Sequence, residues 1–142
     1  IGLWGMGGLG KTTLMKEVGK KAKESQLFDR VALITISQSP NIRHIQSQIA
    51  DMFGIELMEQ SEIGRAKRIA LRLLNGERIL IILDNAWAKL NLEEIGIPFG
   101  GNHQRRCKVV LTTRRLEVCT LMDCEKIIQL DLLKEDEAWT LF

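Results

Sequence analysis

The sequence predicts an α/β fold in which a five-stranded parallel sheet is flanked by helices on both faces. Short apolar runs alternate along the chain with segments of helical periodicity, as in proteins built from strand–helix–strand units. The apolar runs are nearly continuous and rich in β-branched residues, which is typical of strands covered on both faces. With 142 residues, of which 45% are hydrophobic and 27% charged, the chain has the size and composition of one globular domain.

The individual elements follow from these patterns. Strands are predicted at residues 1–4, 31–37, 79–83, 108–113 and 126–130, and helices at residues 11–25, 40–53, 62–75 and 116–122. For the second helix, the sequence predicts Ser39 as the N-cap, Pro40 as the first helical residue and Gly54 as the stop. The third helix is predicted to end at Gly76. Its periodicity predicts that Ala66, Ile69 and Leu73 face the core and that Arg65, Arg68 and Arg72 face outward.

Composition excludes several classes of protein. A net charge of +2 is too small to indicate a nucleic-acid partner, so none is expected. No apolar run approaches the about 20 residues of a membrane helix, so no membrane segment is expected in this chain. The spacing of Cys107, Cys119 and Cys124 is not that of metal ligands, and we predict free thiols in a reducing compartment.

Because the chain starts inside a strand pattern and ends without a residue that would stop a helix, we expect it to be truncated at both ends.

A phosphate-binding loop is predicted where the first strand meets the first helix. Residues 5–12 read G-M-G-G-L-G-K-T and match the pattern G-x-x-x-x-G-K-S/T in full. Glycines let backbone N–H groups turn toward phosphate oxygens, and the following helix N-terminus adds partial positive charge. Lys11 can reach the β- and γ-phosphates, and the Thr12 hydroxyl can bind Mg²⁺. The predicted nucleotide-binding residues are Gly5, Met6, Gly7, Gly8, Leu9, Gly10, Lys11 and Thr12.

Asp84 ends the third predicted strand. The carboxyl ends of parallel strands meet at one edge of the sheet, so we expect this carboxylate beside Thr12, holding Mg²⁺ through water. An Asp after a strand is also a common helix cap, and on its own the pattern is weak.

Asn85 occupies the position where many ATPases of this architecture carry an acidic residue that activates water. A carboxamide cannot take up a proton at neutral pH. Its oxygen could still orient water, which would give Asn85 a catalytic role beside Lys11 and Asp84. The other interpretation is that Asn85 only caps the following turn.

Thr112, Thr113 and Arg114 close the fourth predicted strand. A polar pair and a guanidinium at the phosphate edge could sense a γ-phosphate. Alternatively, Arg114 and Arg115 are solvated residues at the start of a helix.

The sequence lacks the motifs of two other families of nucleotide-binding proteins. The N-K-x-D motif, with which GTPases recognise the base, and the LSGGQ-like signature of ABC ATPases are both absent from the sequence. A small-molecule kinase has no short motif by which it could be excluded.

Taken together, these motifs resemble the nucleotide-binding (NB-ARC) domain of plant disease-resistance proteins, the intracellular nucleotide-binding leucine-rich-repeat receptors. The resemblance spans nearly the whole chain and consists of five ordered blocks. They are residues 5–13 including Thr13, residues 28–38, residues 83–87 (family pattern L-D-D-x-W), residues 108–114 (T-T-R), and Leu130 with residues 137–142. Trp87 and the block at Phe28 look like the subclass with an N-terminal coiled coil rather than a TIR domain.

The resemblance implies a fold and a role. It implies that residues 1–142 are the nucleotide-binding core of a partial NB-ARC domain, with sheet order 2-3-4-1-5 and Arg114 as the γ-phosphate sensor. ATP and ADP with Mg²⁺ are the implied cofactors, and Thr13 joins the binding residues. The implied function is a cytoplasmic switch in plant defense, leading to the hypersensitive response. Its implied partners are coiled-coil and leucine-rich-repeat domains outside this chain, with oligomerisation on activation.

The sequence departs from the family at Asn85, which replaces the second Asp, so slow or impaired ATP hydrolysis is expected. Two other hypotheses remain open at this point. One is a multiple-turnover P-loop ATPase or phosphotransferase outside this family, which rests on the loop and Asp84 alone. The other is a nonfunctional fragment, suggested by Asn85 and the two cut ends. The pathogen ligand, the signalling partners, the oligomer size and any membrane anchor lie beyond what this sequence specifies.

Overall fold

The fold is an all-parallel sheet between two helical layers, seen in a computed structural model that describes residues 1–5, 10–98 and 107–129. The described strands are β1 (Gly2–Trp4), β2 (Arg30–Thr35), β3 (Ile79–Ala86), β4 (Cys107–Thr113) and β5 (Ile127–Gln129). The described helices are α1 (Gly10–Glu24), α2 (Ile42–Phe53), α3 (Glu62–Leu73), α4 (Leu92–Ile95) and α5 (Leu116–Leu121). The strand order is β2-β3-β4-β1-β5, which confirms the predicted fold class and the order that the resemblance implied.

Strand β3 shows why helices must cover both faces. Successive side chains of a strand point to opposite faces. Ile79, Ile81 and Leu83 join a core cluster with α2, α3, α4 and α5, whereas Leu80 and Ile82 join a second cluster with α1. All five side chains are at most 1% exposed. Burial of each contributes about 1.5–3 kcal/mol, so an apolar strand of this kind is stable only when both faces are covered.

The start of helix α2 differs from the prediction. Its N-cap is Asn41, not Ser39, and Pro40 precedes the cap instead of opening the helix. The Asn41 side chain accepts a hydrogen bond of 3.2 Å from the backbone N–H of His44, which satisfies one of the free donors of the first turn. The predicted stop is confirmed, because Gly54 has a left-handed φ of 64° and its N–H donates to the Ala50 carbonyl.

Arg65 was predicted to face solvent, and that prediction is wrong. Its side chain is only 8% exposed, and its Nε donates to Oε1 of the fully buried Gln46 at 3.0 Å. A terminal nitrogen of the same guanidinium donates to the Ser47 hydroxyl at 2.9 Å. Gln46 in turn donates to the carbonyls of Glu62 and Ile95. Buried polar groups are tolerated when hydrogen-bonded, and this network joins α2, α3 and α4.

Other boundaries move by small amounts. Strand β3 continues to Ala86, α3 ends at Leu73 rather than Asn75, and α4 was not predicted because one helical turn has too few residues to show a period. Leu130 and residues 137–142 lie outside the described residues. Within the described part of the chain, no helix is long and apolar enough to cross a membrane.

The three cysteines are free, as predicted. Burial raises the pKa of Cys107 to about 11 and that of Cys119 to about 11, so both thiols are protonated at neutral pH. Strand β1 approaches this region closely. A Cβ atom on Gly2 would lie 2.7 Å from Sγ of Cys119 and 2.8 Å from Sγ of Cys124. Any residue larger than glycine would therefore clash with these two sulfur atoms unless they moved.

Candidate nucleotide and magnesium site

The carboxyl ends of β1, β3 and β4 meet at one edge of the sheet. Trp4 at the end of β1 lies in register with Thr113 at the end of β4, and the N–H of Gly5 donates to the Thr113 carbonyl at 3.0 Å. Helix α1 begins at Gly10. Both ends of the predicted phosphate loop are therefore placed at this edge, which is where open parallel sheets bind ligands.

Part of the predicted loop lies outside the described residues. This applies to Met6, Gly7, Gly8 and Leu9, and to the side chain of Lys11. Thr12 and Thr13 are described, and both are exposed on the first turn of α1.

Thr12 and Asp84 are in direct contact, although 72 positions separate them in the sequence. The Thr12 hydroxyl donates to Oδ2 of Asp84 at 2.8 Å. Asp84 is only 3% exposed, so its carboxylate needs hydrogen-bond donors or a cation. The structure thus brings together the hydroxyl and the carboxylate that the sequence assigned to magnesium.

A second threonine fixes the other oxygen of this carboxylate. The Thr112 hydroxyl donates to Oδ1 of Asp84 at 2.6 Å and accepts from the backbone N–H of Asn85 at 2.8 Å. Thr112 is fully buried. The sequence offers Thr112 as part of a polar pair that could sense a γ-phosphate, but its buried hydroxyl is already used by Asp84 and Asn85. Its hydroxyl lies inside the edge and orients Asp84.

Thr113 is also turned inward. Its hydroxyl donates to the Ala86 carbonyl at 2.7 Å and accepts from the backbone N–H of Arg115 at 3.1 Å. The side chain is fully buried. Of the three residues that close β4, only Arg114 is exposed and can meet a ligand.

Replacing Thr112 with valine is expected to lower the free energy of unfolding. Valine has nearly the same shape but leaves the Asn85 N–H and one oxygen of Asp84 without their partner, at a cost of about 1–3 kcal/mol. Urea denaturation measures the change. Thr112→Ser keeps the hydroxyl and serves as the control. A Thr112→Val variant as stable as the wild type would show that the hydrogen bonds of Thr112 contribute nothing.

Asn85 occupies a bulge in β3. The register between β3 and β4 shifts between Leu83 and Ala86, and Asn85 has a left-handed φ of 67°. Asn and Asp tolerate this conformation better than other non-glycine residues. Among the described residues its carboxamide makes no hydrogen bond, so the turn-capping interpretation gains no support. Bulges near sites re-aim side chains, and this one lies at the residue that directly follows Asp84.

Arg114 contacts an aromatic ring. Its guanidinium carbon lies 5.6 Å from the ring centroid of Trp87, within the range of a cation–π contact. Arg115, by contrast, is the N-cap of α5 and makes no side-chain capping bond. Arg114 directly precedes this cap and is exposed, so its position agrees with either interpretation.

The donor set at this edge fits magnesium. Mg²⁺ prefers oxygen ligands and keeps several waters, so one carboxylate and one hydroxyl suffice beside nucleotide phosphates. Thr12 and Asp84 supply these groups. Across residues 1–5, 10–98 and 107–129, no cluster of three or more His, Cys, Asp or Glu side chains could hold a metal.

Comparison with known proteins agrees with this geometry. The family described as "NB-ARC domain" matches residues 1–142. The chain is 40% identical over 146 residues to "Disease resistance protein At4g27190" of Arabidopsis thaliana, with 100% of this chain and 15% of that protein covered. It is 36% identical to "Disease resistance protein RPS5" and 38% identical to "Disease resistance protein SUMM2", both of Arabidopsis thaliana. In each of these two, 100% of this chain matches 16% of the relative.

The chain thus spans about one sixth of the length of the relatives it matches. A match over the whole of this chain excludes the alternative of a P-loop enzyme outside the resembled family. The phosphate-loop sequence, the strand order and the paired Thr12 and Asp84 are all consistent with the match. The chain belongs to the NB-ARC domain family.

Proposed function

We propose that this chain is the nucleotide-binding core of a plant immune receptor and works as a switch between ADP-bound and ATP-bound states. The observation that carries the proposal is the chain of hydrogen bonds from Thr12 through Asp84 to Thr112 at the edge where the phosphate loop begins. The buried carboxylate, fixed at both oxygens, faces the first turn of α1. A carboxylate held in this way is prepared for a cation that accompanies phosphates.

Each residue of the site has a role in this proposal. The backbone of residues 5–10 and the N-terminus of α1 bind phosphate oxygens, and Lys11 neutralises the β- and γ-phosphates. Thr12 and Asp84 would hold Mg²⁺, and Thr13 would contribute to the same phosphate site. When bound, the ion would neutralise part of the charge of the phosphates.

The switch depends on contacts that only one nucleotide makes. A ligand shifts a conformational equilibrium only by the difference in its affinity for the two states. ATP differs from ADP by one phosphate, and Arg114 is the exposed cation at the end of β4 that could meet it. Asn85 slows hydrolysis, so the ATP state persists and the protein acts as a switch more than as an ATPase.

The relatives suggest the setting. These relatives are named disease resistance proteins, and they are several times longer than this chain. We propose that this chain likewise works inside a longer cytoplasmic receptor with coiled-coil and leucine-rich-repeat domains. In that receptor ATP binding leads to oligomerisation and to a defense response ending in the hypersensitive response.

The dependence of ATP affinity on Mg²⁺ tests the site. Replacing Asp84 with asparagine removes the negative charge but keeps an oxygen, and it is expected to abolish most of the affinity that Mg²⁺ adds, about 10- to 100-fold. Isothermal titration with and without Mg²⁺ measures it. Asp51→Asn makes the same change at an exposed position on α2 and should leave the Mg²⁺ effect intact. An unchanged Mg²⁺ effect in Asp84→Asn would refute the assignment.

A further inference from the structure

Helix α5 ends in a turn that brings two cysteines together. Asp123 follows the helix with a left-handed φ of 53°, and its N–H donates to the Thr120 carbonyl at 3.1 Å. The N–H of Cys124 donates to the Cys119 carbonyl at 3.2 Å. These two hydrogen bonds form a Schellman motif, in which the side chains of the two residues joined by the outer bond lie against each other. Here those residues are Cys119 and Cys124.

Strand β1 also shows that the two sulfur atoms are neighbours. A Cβ atom on Gly2 would lie within 2.8 Å of both, so the sulfurs fill the space that a side chain of this strand would take. Each thiol also changes the pKa of the other. The backbone hydrogen bond between Cys119 and Cys124 holds their Cα atoms at about the 4.4–6.8 Å that disulfides span. A disulfide therefore requires only a small movement of the side chains.

We propose that Cys119 and Cys124 are a site of reversible oxidation, at which a peroxide converts the two thiols to a disulfide. The new bond would tie the end of α5 to the segment that leads into β5, the strand that pairs with β1. The site uses no residue of the phosphate edge and requires no nucleotide. It is therefore independent of the proposed function.

The two cysteines have different roles because they differ in exposure. Cys124 is half-buried whereas Cys119 is fully buried, so a peroxide reaches Cys124 first. The thiolate of Cys124 attacks one peroxide oxygen, the O–O bond breaks, and a sulfenic acid and one water form. The sulfur of Cys119 then attacks the sulfenic sulfur, the S–O bond breaks, and a second water leaves. The thiols lose two electrons and two protons, and a small thiol such as glutathione reverses the oxidation by exchange.

Burial sets the rate of this reaction. It raises the pKa of Cys119 to about 11 and also raises the pKa of Cys124, and only the thiolate is reactive. We therefore expect slow oxidation and a response to sustained exposure instead of a brief one. The neighbouring thiol matters for the outcome, because it captures the sulfenic acid before a second peroxide can oxidise it irreversibly.

Counting the free thiols of the folded full chain tests the inference. Trypsin leaves both cysteines in one peptide, residues 116–126. After hydrogen peroxide treatment, denaturation and alkylation, this peptide should carry no alkyl group, and glutathione treatment before alkylation should restore two. Cys107→Ala removes the thiol outside the pair and should behave like the wild type. In Cys124→Ser, the buried Cys119 should lose its thiol at least about tenfold more slowly.

Three results would overturn the inference. One is a sulfinic acid on Cys124 while Cys119 can still be alkylated, and another is a disulfide that includes Cys107. The third is loss of the Cys119 thiol at the wild-type rate in Cys124→Ser. Circular dichroism before and after peroxide verifies that the protein stays folded, and a disulfide that forms only in urea also counts against the site. If Cys124→Ser fails to fold, Cys119→Ala replaces it, and its Cys124 should then oxidise beyond recovery by glutathione.

Discussion

Replacing Asn85 with aspartate is expected to raise the rate of ATP hydrolysis by about 10²- to 10⁴-fold, the usual contribution of a general base. A carboxylate can take a proton from an attacking water, whereas a carboxamide can only orient it. Asn85 follows Asp84 directly and its side chain makes no hydrogen bond within the described residues. The new carboxylate would therefore be free to act at the edge where we place the phosphates.

The backbone at this position accepts the change. The φ of 67° at Asn85 suits aspartate as well as asparagine, and the N–H that donates to Thr112 is unaltered. Release of inorganic phosphate under single-turnover conditions measures the rate. Asn85→Ala is the control: it adds no base, strains the left-handed backbone by about 1–2 kcal/mol and should hydrolyse no faster than the wild type. A folded Asn85→Asp protein that hydrolyses ATP at the wild-type rate would contradict the role assigned to this position.

Replacing Lys11 with alanine is expected to weaken the affinity for ATP by about 100-fold or more and the affinity for ADP by about 10- to 100-fold. The lysine of this motif neutralises phosphate oxygens, and a hydrogen bond between charged groups is worth about 1.5–3 kcal/mol. ATP loses the contacts of Lys11 with its β- and γ-phosphates, whereas ADP loses only the contact with its β-phosphate, so the loss of affinity is larger for ATP. Isothermal titration of the folded variant measures the effect.

Lys20→Ala provides a matched control for this substitution. Lys20 lies on the exposed face of the same helix α1, so the control makes the same change in net charge away from the phosphate edge. Its nucleotide affinity should stay close to that of the wild type. Equal losses in the two variants would indicate a general electrostatic effect, and no loss in Lys11→Ala would argue against a phosphate role for the loop.

The sheet and the identity of its edge residues could be predicted because they depend on local patterns. The apolar runs of β3 and β4 are strand-length and β-branched, and the loop motif marks where β1 ends. Asp84 could be assigned because parallel strands bring their carboxyl ends together. The order of the strands, however, came from the family resemblance. Periodicity alone does not specify which strands are neighbours.

The errors arose where tertiary contacts decide the outcome. Arg65 lies on a helix with an outward charged pattern, yet Gln46 on a different helix provides a buried partner for it. Thr112 reads as a polar strand end, but the bulge at Asn85 turns a backbone N–H toward its hydroxyl. For α2 the sequence predicts Ser39 as the N-cap, but Asn41, two residues later, caps the helix. The first two outcomes depend on hydrogen bonds between distant residues that no local pattern contains, whereas the cap of α2 is a local hydrogen bond from the His44 N–H to Asn41.

The most direct test of the nucleotide switch is the identity of the nucleotide carried by the purified full-length protein. Denaturation followed by chromatography of the released ligand gives the answer. We expect a stoichiometric adenine nucleotide in the wild type and its loss in Lys11→Ala. Bound ADP would mean that hydrolysis proceeds despite Asn85, and bound ATP that Asn85 stalls it. An empty site, or a guanine nucleotide in its place, would contradict the account and favour a fragment that has lost its function or a different ligand.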